Sequence, residues 1–111
     1  MALAGLFAAF VVPLEARAKP LSYKDVAPLF KANCVACHKG PRPAHGLDLT
    51  TYKKIMQGDS KGKVVVVGKP TISRLATVLH GKPQAMPPGR DLRATETNKI
   101  EAWIRAGAKE K

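Results

Sequence analysis

Residues 34–38 read Cys34-Val35-Ala36-Cys37-His38, two thiols three positions apart with an imidazole directly after the second. This is the C-x-x-C-H pattern of covalent haem attachment. The spacing follows from the chemistry: each thiol adds to one porphyrin vinyl group as a thioether, and the adjacent His38 falls beneath the ring to ligate iron. Other uses of a close cysteine pair fit less well. A dithiol redox centre needs a preceding strand and a βαβ context, and the pattern around the motif offers neither. A structural disulfide across two residues is strained and leaves His38 without a role. Zinc asks for four ligands, and His45 and His80 stand at irregular distances from the cysteines.

Upstream of the motif, Asp25 reads as a helix N-cap with Val26, Ala27 and Pro28 as the first turn, where a missing proline N–H removes no intrahelical bond. Val26, Leu29 and Phe30 form one apolar stripe, so the spacing predicts a helix over 26–33 that delivers the chain to Cys34. Downstream, a helix over 51–57 is closed by Gly58, and another over 71–79 presents Ile72, Leu75 and Leu79 on one face before Gly81. The most regular helix is 96–106, capped by Thr95 and stopped by Gly107, with Ile100, Trp103 and Ile104 inward and Glu101 paired with Arg105 outward. Val64 to Val67 are four consecutive β-branched residues, but no second segment matches them, so no sheet is expected. Glycine and proline punctuate 40–43, 58–62, 68–70 and 81–89, which makes the helices short and the loops long.

With His38 on one face of the iron, a sixth ligand or an open face is required. Met86 stands in Gln84-Ala85-Met86-Pro87-Pro88-Gly89, a proline-stiffened loop that suits a thioether held toward a metal better than a core filler. Met56 falls on a predicted helix and is read as core. His80, at a helix end, is read as a C-terminal cap favoured by the dipole. His45 is read as exposed in a loop near the haem edge. Met86 is the favoured distal ligand.

The chain has 111 residues, 45% hydrophobic and only 5% aromatic. One small domain fits, and its core is thin enough that a bound cofactor is expected to fill part of it. Residues 1–14 are apolar and uncharged, and Ala16-Arg17-Ala18 follows as an A-x-A cleavage site. Residues 1–18 therefore read as a signal peptide, too short to span a bilayer comfortably, and residues 19–111 as the mature domain. The net charge is +11, from 19 basic and 8 acidic residues. Cleavage after Ala18 removes Arg17 and Glu15 together and leaves it unchanged. Export argues against nucleic acid and favours an acidic protein face as the partner of such a surface, with Lys31 and Lys39 beside the motif as candidate contacts.

From residue 21 to 108 the chain resembles a class I cytochrome c, most nearly the small planctomycete-type cytochrome c domains. The similar elements are the helix ending in Cys34 to His38, Gly46-Leu47-Asp48-Leu49, Gly68-Lys69-Pro70 with Ser73-Arg74-Leu75, Met86-Pro87-Pro88, and Trp103-Ile104-Arg105-Ala106-Gly107-Ala108. It differs from that family at Lys39 before Gly40-Pro41 and at His45 before Gly46. The resemblance implies an all-α fold of three to five short helices wrapped around one covalently bound haem c. The terminal helices cross, with His38 proximal and Met86 distal. Iron held on both faces has no open site for a substrate, which points to a periplasmic one-electron shuttle between redox partner proteins and not to an enzyme. The rival readings are a haem-based small-ligand binder or sensor, in which Met86 is labile, and a haem subunit of a fixed redox complex.

Overall fold

The computed structural model describes residues 20–111, and the leader read over 1–18 lies outside them. The described residues hold four α-helices and no strand, an all-α arrangement: α1 (Tyr23–Asn33), α2 (Tyr52–Gln57), α3 (Arg74–Thr77) and α4 (Ala94–Arg105). Short 3-10 turns at Ala44–Gly46, Pro70–Ile72 and Val78–His80 link them.

α1 begins three residues earlier than the sequence suggests. Ser22 is the N-cap, and Asp25 is the third helical residue, whose carboxylate accepts from the Ser22 N–H at 2.8 Å. Asp25 still satisfies an orphan donor, but from inside the first turn. Pro28 consequently lies in the second turn, where the N–H it lacks would have reached the Lys24 carbonyl. α4 shifts in the same way: Arg93 is its N-cap, Glu96 accepts from the Arg93 N–H at 3.1 Å, and Thr95 lies within the helix. In both cases an acidic residue three positions into the helix accepts from the N-cap N–H; Ser22 with Asp25 has the capping-box spacing, whereas Arg93 at the start of α4 is not a cap residue type.

α2 starts where Thr51 accepts from the Lys54 N–H at 3.2 Å, and it stops at Gly58 with φ 81°. The segment expected as one helix over 71–79 is instead broken at Ser73. Its side chain is fully buried, accepts from the Val66 N–H at 2.9 Å and donates to the Lys69 carbonyl at 2.8 Å. Those bonds tie the valine run to the turn before α3 and hold Ser73 extended, at φ −84° and ψ 115°. The break rotates Ile72 away from Leu75 and out to solvent, 58% exposed. Val64 and Val65 are buried without forming a strand. Asp59 with Gly62 makes an isolated bridge, the one β pairing among the described residues.

The core sits where α1 crosses α4. Val26 and Phe30 meet Ile100, Trp103 and Ile104, all essentially inaccessible. At 5% aromatic the composition argues against a large aromatic core, and the four described aromatics gather in one small cluster. Phe30, Tyr23 and Tyr52 surround Trp103 with ring centroids 6.0 to 6.4 Å away, the tilted and edge-on geometry that aromatic quadrupoles favour. The chain after α4 folds back over this cluster. Trp103 Nε1 donates to the Lys109 carbonyl at 3.0 Å and the Tyr52 hydroxyl to the Ala108 carbonyl at 2.9 Å. The pairing expected between Glu101 and Arg105 is absent, because Glu101 reaches across to His80 at the end of the Val78–His80 turn.

Candidate functional site

Beside this core lies a cavity of about 440 Å³, within the roughly 300 to 1,000 Å³ common for cofactor sites. Phe30 and Cys34 reach it from the end of α1, Cys37 and His38 from the turn that follows, and Leu47 and Leu49 from the next loop. Leu75, Leu79 and Ile100 add apolar wall, and Met86, Pro87 and Pro88 line it from the loop before α4. The two thiols, His38 and Met86 singled out in the sequence are thus brought to one cavity. α1 ends at Asn33, and the Cys34 and Val35 N–H groups both bond the Phe30 carbonyl. The motif therefore leaves the helix as a tight turn, with the His38 N–H donating to the Cys34 carbonyl at 3.1 Å.

His38 is 9% exposed, and its Nδ1 lies 2.9 Å from the Leu47 carbonyl oxygen. A carbonyl can only accept, so Nδ1 carries a proton, and in the neutral ring Nε2 then keeps its lone pair. This is the state that a metal-binding imidazole requires, with tautomer and ring plane fixed by an outer partner. Two further backbone bonds hold the Leu47 segment under the ring: the Ala44 N–H to the Cys37 carbonyl at 2.9 Å, and the Leu49 N–H to the His38 carbonyl at 2.9 Å. Burial pushes the Cys34 thiol up to about 11. An activated redox or metal thiolate needs the opposite shift, so Cys34 does not resemble the nucleophile of a dithiol redox centre. Among the described residues no three His, Cys, Asp or Glu side chains cluster as a metal site, which leaves the zinc reading without a ligand set.

The remaining candidates fall in different places. Met86 is half-buried at the cavity, and its backbone N–H donates to the Val78 carbonyl at 2.9 Å. Met56 packs against the core and does not line the cavity. His80 is also away from the cavity; it stands in the last turn of Val78–His80, the helix end read from sequence, and its ring pairs with Glu101. His45 is exposed on the cavity rim, in the left-handed region at φ 57°. Its ring plane lies 24° from that of His38, with centroids 6.4 Å apart, and Nε2 is 3.2 Å from Gln84 Nε2.

Sequence reasoning missed two parts of the site. The Leu47 carbonyl carries no side-chain signature. The charged corner formed by Asp59, Lys61 and Arg74 joins residues fifteen positions apart, and it is visible only once α3 is folded against the Asp59–Gly62 turn.

The residues fit a haem: two thiols at the vinyl spacing, a buried imidazole with Nε2 available, and a largely apolar cavity beside them. The family model described as Planctomycete cytochrome C matches residues 34–90, the segment that runs from the first motif cysteine past the Met86 loop. No curated protein and no solved structure matches the chain. Among the described residues, no helix is long and apolar enough to cross a membrane.

Proposed function

The chain belongs to the Planctomycete cytochrome C family, and on that premise we propose that it is an exported, monohaem one-electron carrier whose iron is held by His38 and Met86. A cytochrome c domain implies haem-based electron transfer in general; the axial pair, the shuttle role and a periplasmic location following cleavage of residues 1–18 are the finer reading.

When bound, the haem supplies a ferric/ferrous couple, and everything else falls to the chain. Cys34 and Cys37 anchor the ring covalently through their sulfurs. His38 offers Nε2 while Leu47 holds Nδ1–H, so the imidazole keeps one orientation in both oxidation states. Met86 offers a soft, neutral thioether from a loop stiffened by Pro87 and Pro88, which favours the ferrous state and leaves no vacant position for a substrate. Phe30, Leu47, Leu49, Leu75 and Ile100 keep water from the ring. Cys37 and Ala36 lie at the exposed end of the cavity, which suits an edge through which an electron passes to a partner.

The observation that carries this reading is the convergence of both thiols, the tautomer-fixed His38 and Met86 on one cavity. The test is the optical spectrum of the oxidised protein. A methionine-to-iron charge-transfer band is expected, lost in Met86→Ala together with a fall in potential and a gain of carbon monoxide binding, and intact in His80→Ala. Rapid carbon monoxide binding by the reduced, unsubstituted protein would instead indicate a ligand binder.

A further inference from the structure

The cavity is largely apolar, and among the described residues Asp59, Lys61 and Arg74, at one corner, are its only fully charged lining side chains. Arg74 grips Asp59 with both ends of its fork, Nη1 to Oδ2 at 2.8 Å and Nη2 to Oδ1 at 2.9 Å. Nη2 also reaches the Gly62 carbonyl at 3.2 Å. The Asp59 side chain is only 6% exposed, and Oδ1 also accepts from the Lys61 N–H at 2.9 Å. The Arg74 guanidinium beside Asp59 holds that carboxyl below the usual carboxylate range, so the pair stays ionised.

Arg74 and Lys61 supply two positive charges against one negative charge from Asp59, which leaves the corner at +1. Asp59, Gly62 and Lys63 engage Nη1 and Nη2, so Nε–H and the second Nη1–H of Arg74 have no acceptor among the described residues, and Lys61 Nζ has none either. An apolar pocket with a guanidinium fixed by Asp59, an exposed lysine beside it and one surplus positive charge is complementary to a single carboxylate carried by an otherwise apolar ligand. A haem is such a ligand, since its propionates are its only charged substituents.

We infer that Lys61 and Arg74 receive a haem propionate at this corner and that Asp59 is the positioning residue that aims the Arg74 fork. The inference rests on the haem reading proposed above. It also gives a reason for an arginine with a buried partner to stand in a cofactor wall: Asp59 removes the rotamer freedom that an isolated arginine would lose on binding.

The experiment uses the haem-loaded protein and two readouts, the midpoint potential and the propionate carboxylate bands in the infrared difference between oxidised and reduced forms. The variants are Lys61→Gln, Arg74→Lys and the double variant Asp59→Asn with Arg74→Gln, which avoids leaving a buried carboxylate alone. Lys63→Gln is the control, because it removes an equal charge two positions away from a residue that does not line the cavity. The carboxylate bands are expected to shift in all three variants and not in the control, and the potential to fall at least twofold further in Lys61→Gln than in Lys63→Gln. Should Arg74 variants fail to fold, Lys61→Gln decides alone. Unchanged bands in Lys61→Gln, with a potential equal to that of Lys63→Gln, overturn the propionate assignment and leave the haem reading intact. A folded wild-type protein without haem overturns the haem reading itself.

Discussion

His38 was legible in the sequence as a candidate ligand, but the contact that orients its ring was not. Its position after Cys37 implies an imidazole beneath a ring, whereas its tautomer depends on a backbone carbonyl nine residues on, which any amino acid at position 47 would supply. Arg74 is a similar case: as a residue type it reads as surface charge, and its role depends on Asp59 reaching it from the far side of a turn. That turn rests on Gly58. At φ 81° a side chain is strained, and a Cβ there would stand 2.2 Å from the Gly62 carbonyl oxygen, backbone that cannot move without opening the Asp59–Gly62 bridge. Gly58→Ala is therefore expected to cost about 2 kcal/mol or more. Urea unfolding of the haem-loaded variant checks it, and a loss under about 0.5 kcal/mol, the range of neutral surface changes, would contradict it.

At the level of elements, the apolar stripes of α1 and α4 specify both helices, and their interiors agree with the periodic reading. The boundaries moved because Asp25 and Glu96 cap from inside the helix, a choice that depends on which backbone N–H each carboxylate can reach. The segment at 71–79 failed more deeply. Its spacing fits a helix, but the Ser73 hydroxyl accepts from the Val66 N–H and donates to the Lys69 carbonyl instead, and no periodicity records that competition. The α1 and α4 crossing depends on Trp103, fully buried and met by the rings of Phe30, Tyr23 and Tyr52. Trp103→Ala removes the centre of that cluster and one of the two donors to the Lys109 carbonyl, which keeps the Tyr23 N–H at 2.8 Å. The expected loss is about 3 to 5 kcal/mol, read as a lower denaturation midpoint, with the Cys34 and Cys37 attachments retained. A variant as stable as wild type would place the core elsewhere.

For the molecule as a whole, composition reads as one small domain, the apolar periodicity as short helices and the motif as a haem-attachment site. The cavity itself could not be read, since its walls come from six separated stretches from Phe30 to Ile100. Charge is a property at this scale as well. A net +11 on so small a chain steers an acidic partner over a distance that salt shortens, to about 8 Å at physiological ionic strength. Electron-transfer rates with an acidic redox partner are expected to fall steeply as salt rises, and Lys31→Glu or Lys39→Glu to lower the low-salt rate several-fold. A rate indifferent to salt would make the basic surface merely solvated.

The central claim is that a haem is covalently held at Cys34 and Cys37 with His38 beneath it. Intact mass under denaturing conditions tests it most directly, on protein produced together with the haem-attachment machinery. The expected result is a single species heavier than the polypeptide by one haem, with no titratable thiol, and Cys34→Ala and Cys37→Ala each impair that attachment. A folded protein at the mass of the bare chain, with both thiols free, would contradict it.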